Sequence, residues 1–154
     1  METVTVTREF KNDIEEMVSF CRTMKSREAW PGAVPSYASG YTLIYNVGMR
    51  LSAATMTDIE IDEKLLDVTA HRDGSVAFAT TQRVTWPDGH ADATTEYLFR
   101  PGADGEPNTL RFTYSYEPPS TKLVKTKALP EFRAGMEKVA SIYVKGLTAL
   151  APVS

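Results

Sequence analysis

The chain opens on a strict alternation. Residues 3–7 read Thr-Val-Thr-Val-Thr, so Val4 and Val6 point one way and the threonines the other, as in a half-buried strand. The period then lengthens. Ile14, Met17, Val18 and Cys21 recur at steps of three and four, with Met24 a turn further on. Asn12 followed by Glu15 forms a capping-box pattern, so the spacing predicts an amphipathic helix over 12–25. Pro31 and Gly32 stop it, leaving room for at most one short second helix.

From residue 40 to 117 the helical period is absent. The segment 41–51 is aromatic and β-branched. In 55–62, Ile59 and Ile61 alternate with Asp58, Glu60 and Asp62. A run over 64–72 closes on Asp73-Gly74, a hairpin turn signal, and 75–86 follows up to Pro87. Segments 90–100 and 109–116 flank a loop rich in Pro, Gly and Asp, and Pro118-Pro119 ends the series. These short strands joined by tight turns predict an antiparallel meander. The tail returns to helical spacing: Leu129, Phe132, Met136, Val139, Tyr143, Leu147 and Leu150 share one face of a helix over about 128–150. Pro130 sits in its first turn, where proline is tolerated.

The predicted class is α+β: a curved antiparallel sheet of about seven strands wrapped around a long C-terminal helix, with one or two short helices after the first strand. Residues 1–154 are expected to form a single domain. Between sheet and helix lies space that is either filled by large side chains or open as a cavity.

Element order and length resemble the helix-grip superfamily, also called START-like or SRPBCC. It includes the birch-pollen-allergen fold, lipid-transfer START domains and polyketide cyclase/dehydrase-like proteins. The resemblance rests on Trp30-Pro31-Gly32 after the first helices, the strand pair around residues 60–68, the segment Glu96–Pro101 before a Gly-rich turn, and the terminal helix. It implies an internal cavity for a hydrophobic or amphipathic small molecule. It carries no invariant catalytic motif, and a shared fold does not by itself convey function.

Strand parity nominates the lining. Val76, Phe78, Thr80, Gln82, Val84 and Trp86 share one face of their strand. Ala93, Thr95, Tyr97 and Phe99 do so on the next, and Leu110, Phe112, Tyr114 and Tyr116 on the last. These inward sets are not purely aliphatic. An unpaired buried polar group costs roughly 1–3 kcal/mol, so Thr80, Gln82 and the three tyrosines suggest a partly polar wall. Alternatively, each tyrosine packs its ring in the core with its hydroxyl at the rim. Trp30 near the cavity mouth is either a gate or a plug. Phe132, Met136 and Tyr143 face the sheet under either reading. Among arginines on strands, Arg72 shares inward parity with Leu66, Val68 and Ala70.

Charge and chemistry then narrow the classes. The net charge of −3 and the lack of any Lys/Arg run argue against a nucleic-acid partner. One cysteine, Cys21, allows no internal disulfide. No secretory signal or spanning apolar run is read, so a cytoplasmic protein is expected. His71 and His90 beside turns, with one cysteine, make no metal-ligand spacing, and carboxylates 58, 60, 62 and 63 read mostly as a solvent face. Nothing calls for a cofactor. The partner expected is an apolar or aromatic small molecule, on a monomer or weak homodimer.

By the resemblance, the first functional reading is a cofactor-independent polyketide cyclase/dehydrase-like enzyme. In it Tyr45, Arg72, Gln82 and Tyr114 would polarise or orient a bound chain, with Trp30, Phe78, Thr80, Trp86, Tyr97, Phe112, Tyr116, Phe132, Met136 and Tyr143 around it. The alternative is a non-catalytic carrier of a lipid or aromatic metabolite. A third is a module acting through its surface. Polar groups converging in the pocket would favour catalysis; an apolar pocket would favour carriage.

Overall fold

The computed structural model describes residues 1–50, 56–87, 89–117 and 129–151; the side chains of 49, 50, 56, 57 and 129–133 are outside that description. Its elements run β1 (Glu2–Phe10), α1 (Ile14–Cys21), α2 (Met24–Arg27), β2 (Val34–Ser39), β3 (Thr42–Arg50), β4 (Met56–Leu65), β5 (Thr69–Ala70), β6 (Val76–Trp86), β7 (Gly89–Arg100), β8 (Asn108–Tyr116) and α3 (Leu129–Leu150).

All pairings are antiparallel, in the order β1-β8-β7-β6-β4-β3-β2, with β5 added beside β6. The meander β6–β7–β8 supplies the middle of the sheet, and β1 folds back onto β8. Alternation does what the sequence predicts there. Phe78, Thr80, Gln82 and Val84 are buried on β6, Ala93, Thr95, Tyr97 and Phe99 on β7, and Leu110, Phe112, Tyr114 and Tyr116 on β8. The helix α3 covers this inner face with Met136, Ala140, Tyr143, Val144 and Leu147. This is the α+β helix-grip arrangement expected from the element order.

Several local expectations are corrected. Asp13, not Asn12, caps α1: its Oδ1 accepts from the amides of Glu15 (2.8 Å) and Glu16. Asn12 is buried, and its carbonyl accepts instead from the Asn108 side chain. The first helix does not run to Met24. It ends at Cys21, and Thr23 caps a separate four-residue turn. A strand at 34–39 went unpredicted because Pro35 and two serines interrupt it and every residue is exposed on the sheet edge. The run 64–72 is not one strand: β4, whose Lys64 and Leu65 pair with β6, ends at Leu65, and beyond it only Thr69 and Ala70 pair with β6 again.

The segment that follows α2 is held close under α3. At Gly146 a β-carbon would meet Ala29 Cβ at 3.1 Å and its Cα and carbonyl oxygen at 3.4 Å. Glycine there lets the helix approach this backbone, which sets Tyr143 against Trp30 and Arg27.

Candidate functional site

The interior is organised by a buried ion pair that joins the four-residue helix α2 to the alternating strand β4. Arg27, the last residue of α2, is fully buried and meets Glu63 of β4 through two parallel bonds, Nε to Oε1 at 2.7 Å and Nη2 to Oε2 at 3.0 Å. The remaining nitrogen, Nη1, donates to the Cys21 carbonyl (2.5 Å), to Ser26 Oγ (2.6 Å) and to the Tyr143 hydroxyl (3.3 Å). Such a planar fork suits arginine and not lysine. Glu63 is on the inner face because it shares parity with Ile59 and Ile61, both buried. The expectation of a solvent face for residue 63 is therefore corrected. Asp58 and Glu60 do lie outside.

Polar side chains surround this pair. Tyr45 donates its hydroxyl proton to Glu63 Oε1 at 2.7 Å and accepts from Gln82 Nε2 at 3.3 Å. Gln82 Oε1 accepts from the Tyr114 hydroxyl at 3.0 Å. Thr80 and Thr95 hydroxyls meet at 2.5 Å across β6 and β7, and Thr80 also bonds the carboxylate. The hydroxyls of Tyr97 and Tyr143 meet at 2.6 Å. The ionisation of the pair follows from this geometry. Burial alone would push the Glu63 carboxyl up, but the Arg27 charge and the hydrogen bonds from Arg27, Thr80 and Tyr45 hold it below its ordinary value. Burial likewise opposes the Arg27 charge, and Glu63 together with Tyr143, Tyr97 and Tyr45 more than offsets it. Tyr45 and Tyr114 are held in the neutral form first by burial and then by the neighbouring carboxylate. Burial pushes the Cys21 thiol up to about 12, so it is no nucleophile at neutral pH.

Aromatic rings fill the remaining space on this side. Trp30 stacks on Tyr143 at 4.4 Å and meets Phe112 and Tyr114 edge-on. Phe78 stacks on Tyr97 at 4.5 Å, and Phe112 abuts Tyr97 and Tyr143. The Trp30 indole N–H has no hydrogen-bond partner among the described residues.

Farther along the strands the packing loosens. A cavity of about 30 Å³ lies between the sheet and α3, walled by Ile59, Val84, Trp86, Ala93, Tyr114, Tyr116 and Met136, with Asp92 and Glu117 at its exposed edge. That is room for a water or two. A larger open groove of about 410 Å³ lies at the start of α1, beside His71 and Ser75. Three of its polar side chains are already engaged: Asp13 caps α1, Ser75 bonds Asp73, and Asn108 bonds Gly102 and Asn12.

The nominated residues therefore sort into groups. Tyr45, Gln82 and Tyr114 form one hydrogen-bonded chain, while Thr80, Tyr97 and Tyr143 complete the polar cluster. Trp30, Phe78 and Phe112 are core rings beside it. Trp86, Tyr116 and Met136 join Tyr114 around the cavity. Arg72 is a correction: it is exposed in the turn after β5, and Leu66, Val68 and Ala70, whose parity it shares, are exposed as well, so that face of 66–72 is not the inner one. The side chain of Phe132 lies outside the described residues. Arg27 and Glu63 were the residues missed. Glu63 was accessible through its parity; Arg27 gave no sequence signal.

Among the described residues no helix is long and apolar enough to cross a membrane, and no cluster of His, Cys, Asp or Glu could hold a metal ion. No protein-family model matches the chain, and no curated protein does. Solved structures do. A conserved Geobacillus kaustophilus protein superposes with a TM-score of 0.75 at 15% identity, covering 96% of this chain and 93% of that one. A Thermus thermophilus protein gives 0.64 at 13% identity, covering 97% of each chain. A Chromobacterium violaceum protein gives 0.62 at 14% identity, covering 98% of each. At these identities the likeness is one of fold.

Proposed function

We propose that the protein binds a small apolar molecule carrying a single polar group, in the cavity between Trp86, Ala93, Tyr114 and Met136, without transforming it. The chain acts in this reading as one domain, and the ligand as its partner. One observation carries the proposal: the wall of this cavity is apolar apart from tyrosines and an acidic edge. The most polar groups of the interior, Arg27 and Glu63, bond one another and do not line it. A catalyst of carbonyl chemistry would aim unengaged donors at the reacting atoms. A molecule the size of one aromatic ring exceeds 30 Å³. Met136, with an unbranched and adaptable side chain, and Trp86 at the edge would make room for it.

A second reading keeps a cyclase/dehydrase-like enzyme, favoured by the single fact that Tyr114 in the wall connects through Gln82 and Tyr45 to the ion pair. The two diverge on turnover of a bound polyketide-like chain.

The test is a titration with small aromatic probes, followed by the methyl resonances of the methionines. Met136 is expected to shift while Met17, buried outside the cavity wall, does not. Ala93→Leu, which fills the cavity, is expected to abolish the shift. Probes that leave Met136 unmoved in the parent protein would sink the proposal.

A further inference from the structure

The hydrogen-bond chain behind the cavity has a fixed direction. Glu63 is ionised beside Arg27, and an ionised carboxylate only accepts. Tyr45 must therefore donate its one proton to Glu63, which leaves its oxygen able only to accept. Gln82 must turn its amino group toward Tyr45 and its carbonyl toward Tyr114. The Tyr114 proton is then committed to Gln82. Of the members of this chain, only Tyr114 lines the cavity. What it has left to offer a ligand is an acceptor. The carboxylates of Asp92 and Glu117 at the exposed edge are acceptors too, and no Lys or Arg lies among the lining residues. The donor-only group of the wall, the Trp86 indole N–H, belongs to a half-buried residue at the edge and not to this hydrogen-bond chain.

We infer that the cavity selects ligands bearing a neutral hydrogen-bond donor, small alcohols and phenols, over ligands whose polar group only accepts, such as ketones, aldehydes and carboxylates. Selection is exerted through Tyr114, and the charge on Glu63 acts at a distance by orienting Gln82. The inference rests on the binding reading above and deepens it.

Phenol and benzaldehyde are the probes, each titrated against the full-length protein with the Met136 methyl as reporter. The quantity read is the ratio of their affinities. Tyr114→Phe removes the acceptor, and the phenol preference is expected to fall about two- to ten-fold, the worth of one hydrogen bond. Gln82→Met keeps the shape of the side chain but releases the Tyr114 proton. It is expected to raise benzaldehyde affinity relative to phenol by a similar factor. A residue that merely supports the fold would weaken both probes and leave the ratio alone. If either variant fails to fold, the other decides the matter. A ratio unmoved by both substitutions, with Met136 still responding to each probe, overturns donor selection and leaves the binding reading standing. No response of Met136 to either probe overturns both.

Discussion

Two regions of one interior, a few residues apart on the same strands, are built on opposite principles. Around Arg27 and Glu63 almost every polar atom has a partner, and stacked rings close the gaps between them. Around Trp86 and Met136 the wall is apolar and space is left over. In the low dielectric of the first region each partner raises the cost of losing another, so the cluster admits one arrangement. The second region lacks contacts that a denser core would have, and it gains them if a ligand enters. Rigidity in the polar region is what gives the loose region a fixed chemical face, because the orientation of Tyr114 is set from behind.

The largest effect that tests this contrast is removal of one half of the ion pair. Arg27→Met leaves an uncompensated carboxylate with no route to water, and a loss of about 3–5 kcal/mol is expected by urea denaturation. The paired change Arg27→Met/Glu63→Leu removes both charges. It is expected to recover about half of that loss and not all of it, since Tyr45, Tyr143 and the Cys21 carbonyl keep unmet hydrogen bonds. If the single variant costs no more than an exposed pair would, under about 1 kcal/mol, water reaches the site and the picture of a sealed polar region is wrong.

The pH dependence gives a smaller signal with a fixed sign. Glu63 has a folded value held below its ordinary 4.5, so its contribution is present above that value and is lost as the pH falls through the lower, folded one. In that window wild-type stability is expected to fall by up to about 1.4 kcal/mol per pH unit more steeply than in the Arg27→Met/Glu63→Leu protein. Parallel curves for the two proteins would mean that Glu63 binds its proton equally in the folded and unfolded states. A difference of the opposite sign, with the wild type gaining stability as the pH falls, would mean that Glu63 is not ionised in the folded state, which would also remove the basis for the orientation of Gln82.

How much of this was legible beforehand follows the same division. Strands β6 to β8 and helix α3 were readable because burial imposes a period, and the inward tyrosines came with it. Glu63 was readable in principle, two positions from Ile61 on an alternating strand, but a lone carboxylate is taken for solvent-facing until its partner is known. Arg27 was not readable. It sits in a four-residue turn too short to show a period, and the carboxylate that justifies its burial lies 36 residues away in the chain. Strand β2 was hidden for a related reason: none of its residues is buried, so no hydrophobic signal marks it. Arg72 shows the converse error, in which the apolar Leu66, Val68 and Ala70 mark an inward face although all three are exposed.

The finest test lies on one strand. Thr95 and Ala93 are successive inward positions of β7, the first bonded to Thr80 and the second walling the cavity. Thr95→Val conserves volume and deletes a hydroxyl. Thr80 keeps its bond to Glu63, so a modest cost of about 1 kcal/mol is expected. Ala93→Val adds two methyl groups to the wall of a region with room for them, on a strand that favours β-branched residues. Its expected effect on stability is smaller still, within about 0.5 kcal/mol of zero or slightly favourable by thermal denaturation, accompanied by weaker probe binding. A cost of about 1–3 kcal/mol, the usual penalty for overpacking a full core, would show that the cavity end is as tightly filled as the ion-pair region. The contrast between the two regions would then reduce to polarity alone.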